Sequence, residues 1–122
     1  MAKQHFTIYH NPNCSTSRYA LSALRDSGAD VEVVEYLKQP YTLTQLKGLL
    51  KAMGMSPRQA LRTKGDLYKE LGLDDTSVSD SALLDAMVAN PVLVERPIVV
   101  GASQTLMCRP KERVHELLGG QG

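Results

Sequence analysis

Cys14 is the residue whose type and position best suit covalent chemistry. It lies in the stretch FTIYHNPNCSTSR, between a short β-branched run and a Ser/Thr-rich segment with helical spacing. Residues 11–13, Asn-Pro-Asn, have the composition of a turn, which places Cys14 at the N-cap or first turn of the helix. Unpaired backbone N–H groups and the helix dipole favour the nucleophilic thiolate there, and the hydroxyl groups of Ser15, Thr16 and Ser17 can add hydrogen bonds. We therefore predict a reactive thiol rather than a small buried cysteine.

The same backbone N–H groups would also bind an oxyanion delivered to the sulfur.

Three known kinds of thiol site can be tested by counting from Cys14. A dithiol oxidoreductase needs C-x-x-C, but Ser17 stands at the third position. A low-molecular-weight phosphatase, or a reductase built on that fold, needs arginine six positions on, where Ala20 stands. A papain-like hydrolase needs a histidine base, and His10 lies on the preceding strand. None fits, so Cys14 is predicted to act as a monothiol.

The elements around Cys14 form a βαβ unit. The alternating stretches 5–10 and 31–37 predict two strands, and 15–28 predicts a helix between them with Gly28 as its C-cap. Two strands that are joined by one helix pair in parallel. We therefore expect Cys14 at the junction between the first strand and the crossover helix.

The rest of the chain predicts a helical block and then a ββα half. Thr42 is a suitable N-cap for a helix over 43–54, and residues 55–90 are predicted to be helical throughout, with Pro57 at one helix start and Ser79 or Asp80 as a later cap. The last elements are a strand over 96–100, a strand over 104–108 and a helix over 109–120 that starts at Pro110. This order predicts an α/β fold with a mixed sheet of about four strands and a helical insertion at about 42–90. It is the order of a thioredoxin-like fold with an extra helical block, but the pattern of elements alone does not name the fold.

Composition sets limits on the class of protein. The 122 residues, 43% hydrophobic and 22% charged with a net charge of +1, predict one domain over 1–122 and no field that attracts nucleic acid. Two distant cysteines and three scattered histidines lack the spacing of a metal site. We find no apolar leader and no span long enough for a membrane helix. The expected protein is soluble, cytoplasmic and monomeric, with reduced thiols and no bound metal.

Four motifs resemble one family. The stretches IYHNPNCSTSR, ALRTK, NPVLVERPIVV and MCRP are similar, in that order, to HNPxCGTSR, LLRK, NRPIVV and LCRP of the glutaredoxin-linked arsenate reductases. The resemblance covers about residues 6–118. It implies a thioredoxin-like fold and an arsenate or similar small oxyanion as substrate. It also implies glutathione as co-substrate, glutaredoxin as partner and no bound cofactor.

The resemblance assigns roles to individual residues. It implies that Cys14 is the nucleophile, that Arg62, Arg96 and Arg109 bind the substrate and its transition state, and that His10 helps to keep the thiol ionised. Guanidinium groups suit this role because they bind tetrahedral oxyanions by charge-assisted hydrogen bonds. Ser15 and Thr16, next to the thiol, complete the predicted substrate-binding set. One protein thiol suffices because glutathione supplies the second.

Other interpretations of these residues stay open. Considered alone, Arg62 is typical of a solvated helix residue like Arg58, and Cys108 of a buried strand residue. The family also implies a cis bond before Pro97, opposite the thiol. Ser15 stands where better-known arsenate reductases carry glycine, and the chain stops sooner than theirs after its last helix.

Two alternative functions follow. One is a redox-responsive regulator that binds RNA polymerase, which typically carries the C-x-x-C that Ser17 removes. The other is a glutathione-dependent monothiol reductase with a different substrate.

Overall fold

In a computed structural model that describes residues 4–119, four strands form one mixed sheet. They are β1 (His5–His10), β2 (Asp30–Glu35), β3 (Ile98–Val100) and β4 (Thr105–Met107), in the order β2-β1-β3-β4. β1 pairs with β2 in parallel, whereas β1–β3 and β3–β4 are antiparallel. The predicted mixed four-stranded sheet is therefore confirmed.

The chain divides into two compact units. The sheet unit is the chain up to Gln39 together with the chain from Arg96 onward, and the helical unit is Pro40–Glu95. The sheet unit carries the helices α1 (Ser15–Asp26) and α6 (Val114–Gly119). The helical unit carries α2 (Leu43–Met53), α3 (Pro57–Ala60), α4 (Leu67–Glu70), α5 (Asp80–Ala89) and a 3-10 turn at Pro91–Leu93. The predicted insertion at about 42–90 falls inside the helical unit, and the assignment of 1–122 to a single domain stays a prediction.

The side chains on one face of β1 are buried and belong to the core of the sheet unit. Phe6 and Ile8 are buried, as the alternation along the strand predicts, and α1 and α6 contact each other beside them. The burial of such apolar side chains is the main favourable contribution to folding. The buried residues of this cluster are Phe6, Ile8, Ala20, Leu21, Leu24, Val99, Leu106, Cys108, Val114 and Leu117. This core supports the two segments that carry Cys14 and Arg109.

Local capping signals explain where several helices begin and end. The Thr42 hydroxyl accepts the Gln45 N–H while the Gln45 side chain accepts the Thr42 N–H, which confirms Thr42 as the N-cap of α2. Ser79 caps α5, so the alternative cap at Asp80 is wrong. α1 has Ser27 as its C-cap, and Gly28 follows it with φ +85°, a backbone conformation that favours glycine. The predicted C-cap at Gly28 is therefore one residue late.

The sequence patterns predicted several elements that are longer than the observed ones. β2 ends at Glu35 because the Glu35 carbonyl accepts the N–H groups of Lys38 and Gln39, which turns the chain. The stretch 55–90 is not helical throughout, since α3 ends at Ala60 and Leu61 forms an isolated antiparallel bridge with Val94. The strand over 96–100 begins only at Ile98, because a proline nitrogen at position 97 has no hydrogen to donate.

The last helix also begins later than predicted. Pro110 precedes a 3-10 turn at Lys111–Arg113, and α6 starts at Val114. Position 120, the predicted end of this helix, lies outside the described residues.

Candidate active site

A short turn places Cys14 at the N-cap of α1, as predicted. The Cys14 N–H donates to the Asn11 carbonyl over 3.0 Å, and the Asn13 N–H donates to Asn11 Oδ1 over 3.0 Å. This side-chain turn is the reason that asparagine suits position 11. Arg18 closes the turn from the helix side, with Nη1 donating to the Pro12 carbonyl over 2.9 Å. The partner of the Arg18 guanidinium is therefore the backbone of the loop.

The pKa of the Cys14 thiol lies below its ordinary value. Burial is the largest single influence and raises this pKa, because it disfavours the charged thiolate. The backbone N–H of Ser17, the guanidinium groups of Arg96 and Arg109, and the backbone N–H of Thr16 together outweigh it. A larger share of Cys14 is therefore thiolate near neutral pH than for an ordinary cysteine, which makes it a better nucleophile.

Arg96 and Arg109 reach Cys14 from two other segments of the sheet unit. Arg109 Nη1 lies 4.0 Å from Cys14 Sγ and donates to the Arg96 carbonyl over 2.9 Å. Arg96 is buried, and the peptide bond between it and Pro97 is cis, as the resemblance implied. The Arg109–Pro110 bond is cis as well, which the sequence did not predict. One thiol and two guanidinium groups thus meet at one place, which is an arrangement suited to an oxyanion.

His10 contacts Ser17 in the structure. His10 Nδ1 lies 2.6 Å from the Ser17 hydroxyl, which also accepts the Asn11 N–H over 3.1 Å, and all three residues are buried. The expectation that this hydroxyl helps to stabilise the Cys14 sulfur is wrong, because these two neighbours engage it. The backbone N–H of Ser17 is the group that favours the thiolate.

The imidazole of His10 is mainly neutral at neutral pH. Burial lowers the pKa of His10 most strongly; Glu35 opposes this shift, and Arg25 and Arg18 add to it. Since the ordinary pKa of histidine is already about 6.5, a lowered value leaves little imidazolium at pH 7. His10 therefore offers the thiolate little positive charge near neutral pH, and its side chain contacts the Ser17 hydroxyl.

Arg62 belongs to the helical unit. It follows the C-cap of α3, so the interpretation as a helix residue is wrong. Its N–H donates to the Leu93 carbonyl over 2.7 Å, and its Nη1 lies 3.1 Å from Glu95 Oε1. Arg58 is not simply solvated either, because its Nη1 donates to the Leu73 carbonyl over 3.0 Å. Glu95 was not among the predicted residues, although it stands directly before Arg96, a candidate anion-binding arginine.

The remaining candidates differ in exposure. Ser15 is the exposed first residue of α1, and Thr16 beside it is partly buried. Cys108 is fully buried, as predicted, just after β4. Burial raises the pKa of Cys108 to about 12; Arg113 lowers it slightly and Glu116 raises it. Such a thiol is almost entirely protonated at neutral pH and is a poor nucleophile.

The described part of the chain contains neither a candidate metal cluster nor a helix that could span a membrane. Within residues 4–119, no group of three or more histidine, cysteine, aspartate and glutamate residues is arranged to hold a metal ion. None of the helices in that same range has the length and apolar character that are needed to cross a bilayer.

Comparison with known proteins identifies the family. The profile of the ArsC family matches residues 9–117. An arsenate reductase of Rhizobium meliloti (strain 1021) is 49% identical over 112 residues, which are 92% of this chain and 80% of that protein. The protein YfgD of Escherichia coli (strain K12), which carries the name of an uncharacterized protein, is 51% identical over 120 residues, 98% of this chain and 100% of that protein. The solved structure of an arsenate reductase from Vibrio cholerae superposes with a TM-score of 0.90 at 42% identity and covers 95% of this chain and 99% of that one.

These matches extend over nearly the whole chain. The protein therefore belongs to the ArsC family, and its fold is thioredoxin-like, as the family resemblance implied.

Proposed function

We propose that this protein reduces arsenate to arsenite, with Cys14 as the nucleophile and glutathione and glutaredoxin as the source of electrons. The observation that carries the proposal is the Cys14 thiol, whose pKa is lowered beside the guanidinium groups of Arg96 and Arg109. Relatives that are named arsenate reductases support the substrate. We place the reaction in the cytoplasm, where glutathione keeps thiols reduced, and expect a monomer to carry it out.

Substrate binding in this proposal depends on positive charge and on backbone donors. Arsenate is a tetrahedral oxyanion, so its approach to a thiolate needs cations that offset the repulsion between the two negative charges. Arg96 and Arg109 serve this purpose beside the thiol, and Arg62 is the third arginine of the set. The backbone N–H groups of Ser15 and Thr16, in the first turn of α1, donate hydrogen bonds to further arsenate oxygens.

The chemistry begins when the Cys14 thiolate attacks arsenic and one arsenate oxygen leaves as water, which gives a Cys14–S–As(V) adduct. Glutathione displaces a second oxygen, also as water, and joins the same arsenic. A glutaredoxin thiolate then attacks the glutathione sulfur; a glutathione–glutaredoxin disulfide forms, and the electron pair of the S–As bond reduces As(V) to As(III). Water finally hydrolyses the Cys14–S–As(III) bond, which releases arsenite and restores the thiol. The arginines stabilise the charge that builds up on oxygen during these displacements.

His10 has a positioning role in this proposal. Its neutral ring contacts the buried Ser17 hydroxyl, and the Ser17 backbone N–H favours the Cys14 thiolate. His10 and Ser17 together would hold the first turn of α1 in the orientation in which its N–H groups meet the sulfur. The histidine then supports the ionised thiol by geometry and not by charge.

The environment of Ser17 argues against the regulator alternative. A dithiol sensor requires a thiol three residues after Cys14, and that position holds a fully buried serine that contacts His10. A reductase that takes its second thiol from glutathione has no need of a cysteine there. The missing thiol thus favours the monothiol reductase.

Arsenate-dependent oxidation of NADPH tests the proposal, with the purified protein, glutathione, glutaredoxin and glutathione reductase. We expect turnover that falls to background in Cys14→Ser and persists in Cys108→Ser, the matched control. Absence of turnover in the wild-type protein, with Cys14 still alkylated quickly, would contradict arsenate as the substrate. Turnover with thioredoxin and thioredoxin reductase alone would contradict the glutathione part and leave arsenate reduction in place.

A further inference from the structure

A backbone bridge in the helical unit brings the side chains of Arg62 and Glu95 together. Leu61 and Val94 pair in an antiparallel bridge, and two hydrogen bonds flank it. The Arg62 N–H donates to the Leu93 carbonyl over 2.7 Å, and the Glu95 N–H donates to the Ala60 carbonyl over 2.9 Å. The main chain therefore fixes the two residues that carry the ion pair.

The side chains of the Arg62–Glu95 ion pair are less exposed to solvent than those of the Lys38–Glu35 and Arg113–Glu116 pairs. Arg62 Nη1 lies 3.1 Å from Glu95 Oε1, and the two side chains are 21% and 24% exposed. In the sheet unit, Arg113 Nε lies 3.3 Å from Glu116 Oε2, with side chains that are 38% and 53% exposed. Partial burial strengthens the attraction between charges, because less water screens them. The Glu95 carboxylate is thus a substantial partner for the Arg62 guanidinium.

We propose that Glu95 is a positioning residue that competes with the substrate oxyanion for Arg62. This inference rests on the proposed function, in which Arg62 binds that oxyanion. A carboxylate and a tetrahedral oxyanion accept hydrogen bonds from the same N–H groups of a guanidinium. An oxyanion that binds Arg62 must displace Glu95 or share the guanidinium with it. Glu95 therefore lowers the affinity for the oxyanion while it holds Arg62 in place when the site is empty.

Protection of Cys14 by inorganic phosphate measures this competition without any turnover. Phosphate is a tetrahedral oxyanion, and its binding next to Cys14 should slow the alkylation of the thiol by iodoacetamide. Glu95→Gln keeps the size and an oxygen acceptor but removes the charge. We expect it to lower the half-protecting phosphate concentration about fivefold, within the range that partly exposed ion pairs contribute.

Two further variants test whether the effect passes through Arg62. In the Arg62→Gln background, Glu95→Gln should give no further tightening, because the guanidinium for which the carboxylate competes is gone. Glu116→Gln is the matched control, since it neutralises the acid of the more exposed Arg113 ion pair, and it should leave protection unchanged. In the coupled assay, Glu95→Gln should lower the KM for arsenate by a similar factor and change kcat less than about twofold, because only ground-state binding is altered.

Three results would overturn the inference. Unchanged or weaker phosphate protection in Glu95→Gln would show that the carboxylate only orients Arg62. Tightening of equal size in the Arg62→Gln background would show that Glu95 acts on other groups by its charge. Both of these results leave the proposed function standing, because phosphate still protects the wild-type thiol. Failure of phosphate to protect Cys14 in any variant, wild type included, would contradict the oxyanion site itself together with this inference.

Discussion

The two cysteines of the sheet unit have the same side chain and opposite properties. Cys14 is a partly exposed N-cap at the start of α1, and its pKa is lowered. Cys108 follows β4, is fully buried and has its pKa raised to about 12. Burial is the largest influence on both thiols and acts in the same direction at both, so burial alone cannot explain the difference.

Hydrogen-bond donors decide the difference between these two thiols. Two backbone N–H groups and two guanidinium groups favour the thiolate of Cys14. At Cys108, the favourable charge of Arg113 is opposed by Glu116. Arg109 is the neighbour of Cys108 in the sequence, yet its guanidinium donates toward Cys14 and the Arg96 carbonyl. The fold thus places the guanidinium group of Arg109 beside Cys14, at the N-terminus of α1.

The largest expected effect is on the alkylation of the two thiols. A pKa of about 12 leaves a thiolate fraction on the order of one in 100,000 for Cys108 at pH 7, and burial blocks access as well. We expect iodoacetamide to modify only Cys14 in the folded protein, and Cys14→Ser to lose rapid modification altogether. Mass spectrometry of proteolytic peptides locates the modified thiol. Comparable rates at the two thiols in the folded protein would refute the contrast.

Removal of one guanidinium group gives the next largest effect. The rate of Cys14 alkylation rises with pH as the thiol ionises and levels off above its pKa, which lies below the ordinary value. Arg109→Ala removes a favourable partner of the thiolate, so the midpoint of this profile moves to higher pH. Turnover of arsenate should fall about a hundredfold, the usual cost of one donor that stabilises an oxyanion.

Arg113→Ala is the matched control for this experiment. Arg113 lies at the other cysteine, where it donates to the Met107 carbonyl over 3.3 Å. Its removal should leave the pH profile of Cys14 unchanged. An equal shift in both variants would mean that the net charge of the protein, and not the contact of Arg109 with Cys14, sets the pKa.

The free energy of unfolding should depend more on Cys108 than on Cys14, which is the reverse of the order expected for thiol reactivity. Cys108→Ser places a hydroxyl group in the core of the sheet unit, and an unsatisfied buried hydroxyl costs about 1–3 kcal/mol. Cys14→Ser, at a partly exposed N-cap where serine is favoured, should change the free energy of unfolding by less than about 0.5 kcal/mol. Urea unfolding measures both values. A larger loss at position 14 than at position 108 would reverse the assignment of the structural cysteine.

Ser17→Ala tests whether the Ser17 hydroxyl stabilises the protein around the first turn of α1, next to Cys14. The substitution removes the shared partner of buried His10 and of the Asn11 N–H, so we expect a loss of about 1–3 kcal/mol in unfolding free energy. The pKa of Cys14 should rise slightly as the first turn of α1 loosens. Ser22→Ala, at an exposed position on the same helix, is the control and should stay within about 0.5 kcal/mol. A Ser17→Ala variant as stable as this control would show that the hydroxyl contributes nothing.

Local features of the site were predictable from the residues themselves. Among partnerships between distant residues, that of Cys14 with Arg96 and Arg109 was expected only through the family resemblance, and others were not predicted. The turn at residues 11–13 and the N-cap position of Cys14 follow from turn composition and helical spacing, which act over a few residues. The partner of the Ser17 hydroxyl lies on β1, seven residues earlier, and is fixed only when β1 and α1 pack. The partner of Arg62 is 33 positions away at Glu95 and depends on the Leu61–Val94 bridge, for which the helical pattern of 55–90 gave no sign.

Fold-level predictions divide along the same line. The parallel β1–β2 pair and the antiparallel β3–β4 pair follow from the βαβ and ββα halves, since short connections limit the topology, whereas the β1–β3 pairing that joins the halves was not predicted. The ends of β2 and of α3 depend on backbone hydrogen bonds to particular partners, such as the Glu35 carbonyl, that no periodicity contains. Element type was therefore predictable over most of the chain, whereas the ends of several elements were not.

Ser15→Gly is expected to have the smallest effect. If backbone donors dominate the Cys14 region, the side chain at position 15 should matter little, because it is exposed at the first position of α1. Loss of the Cβ atom lets an oxyanion approach the backbone more closely but costs up to about 1 kcal/mol in helix stability, so the two consequences oppose each other. We expect the half-protecting phosphate concentration for Cys14 to change less than about threefold, well under the tenfold that 1.4 kcal/mol would give. Ser15→Ala is the comparison variant. A change of tenfold or more would assign oxyanion selection to the side chain at position 15. Backbone and guanidinium donors alone would then no longer explain the difference between Cys14 and Cys108.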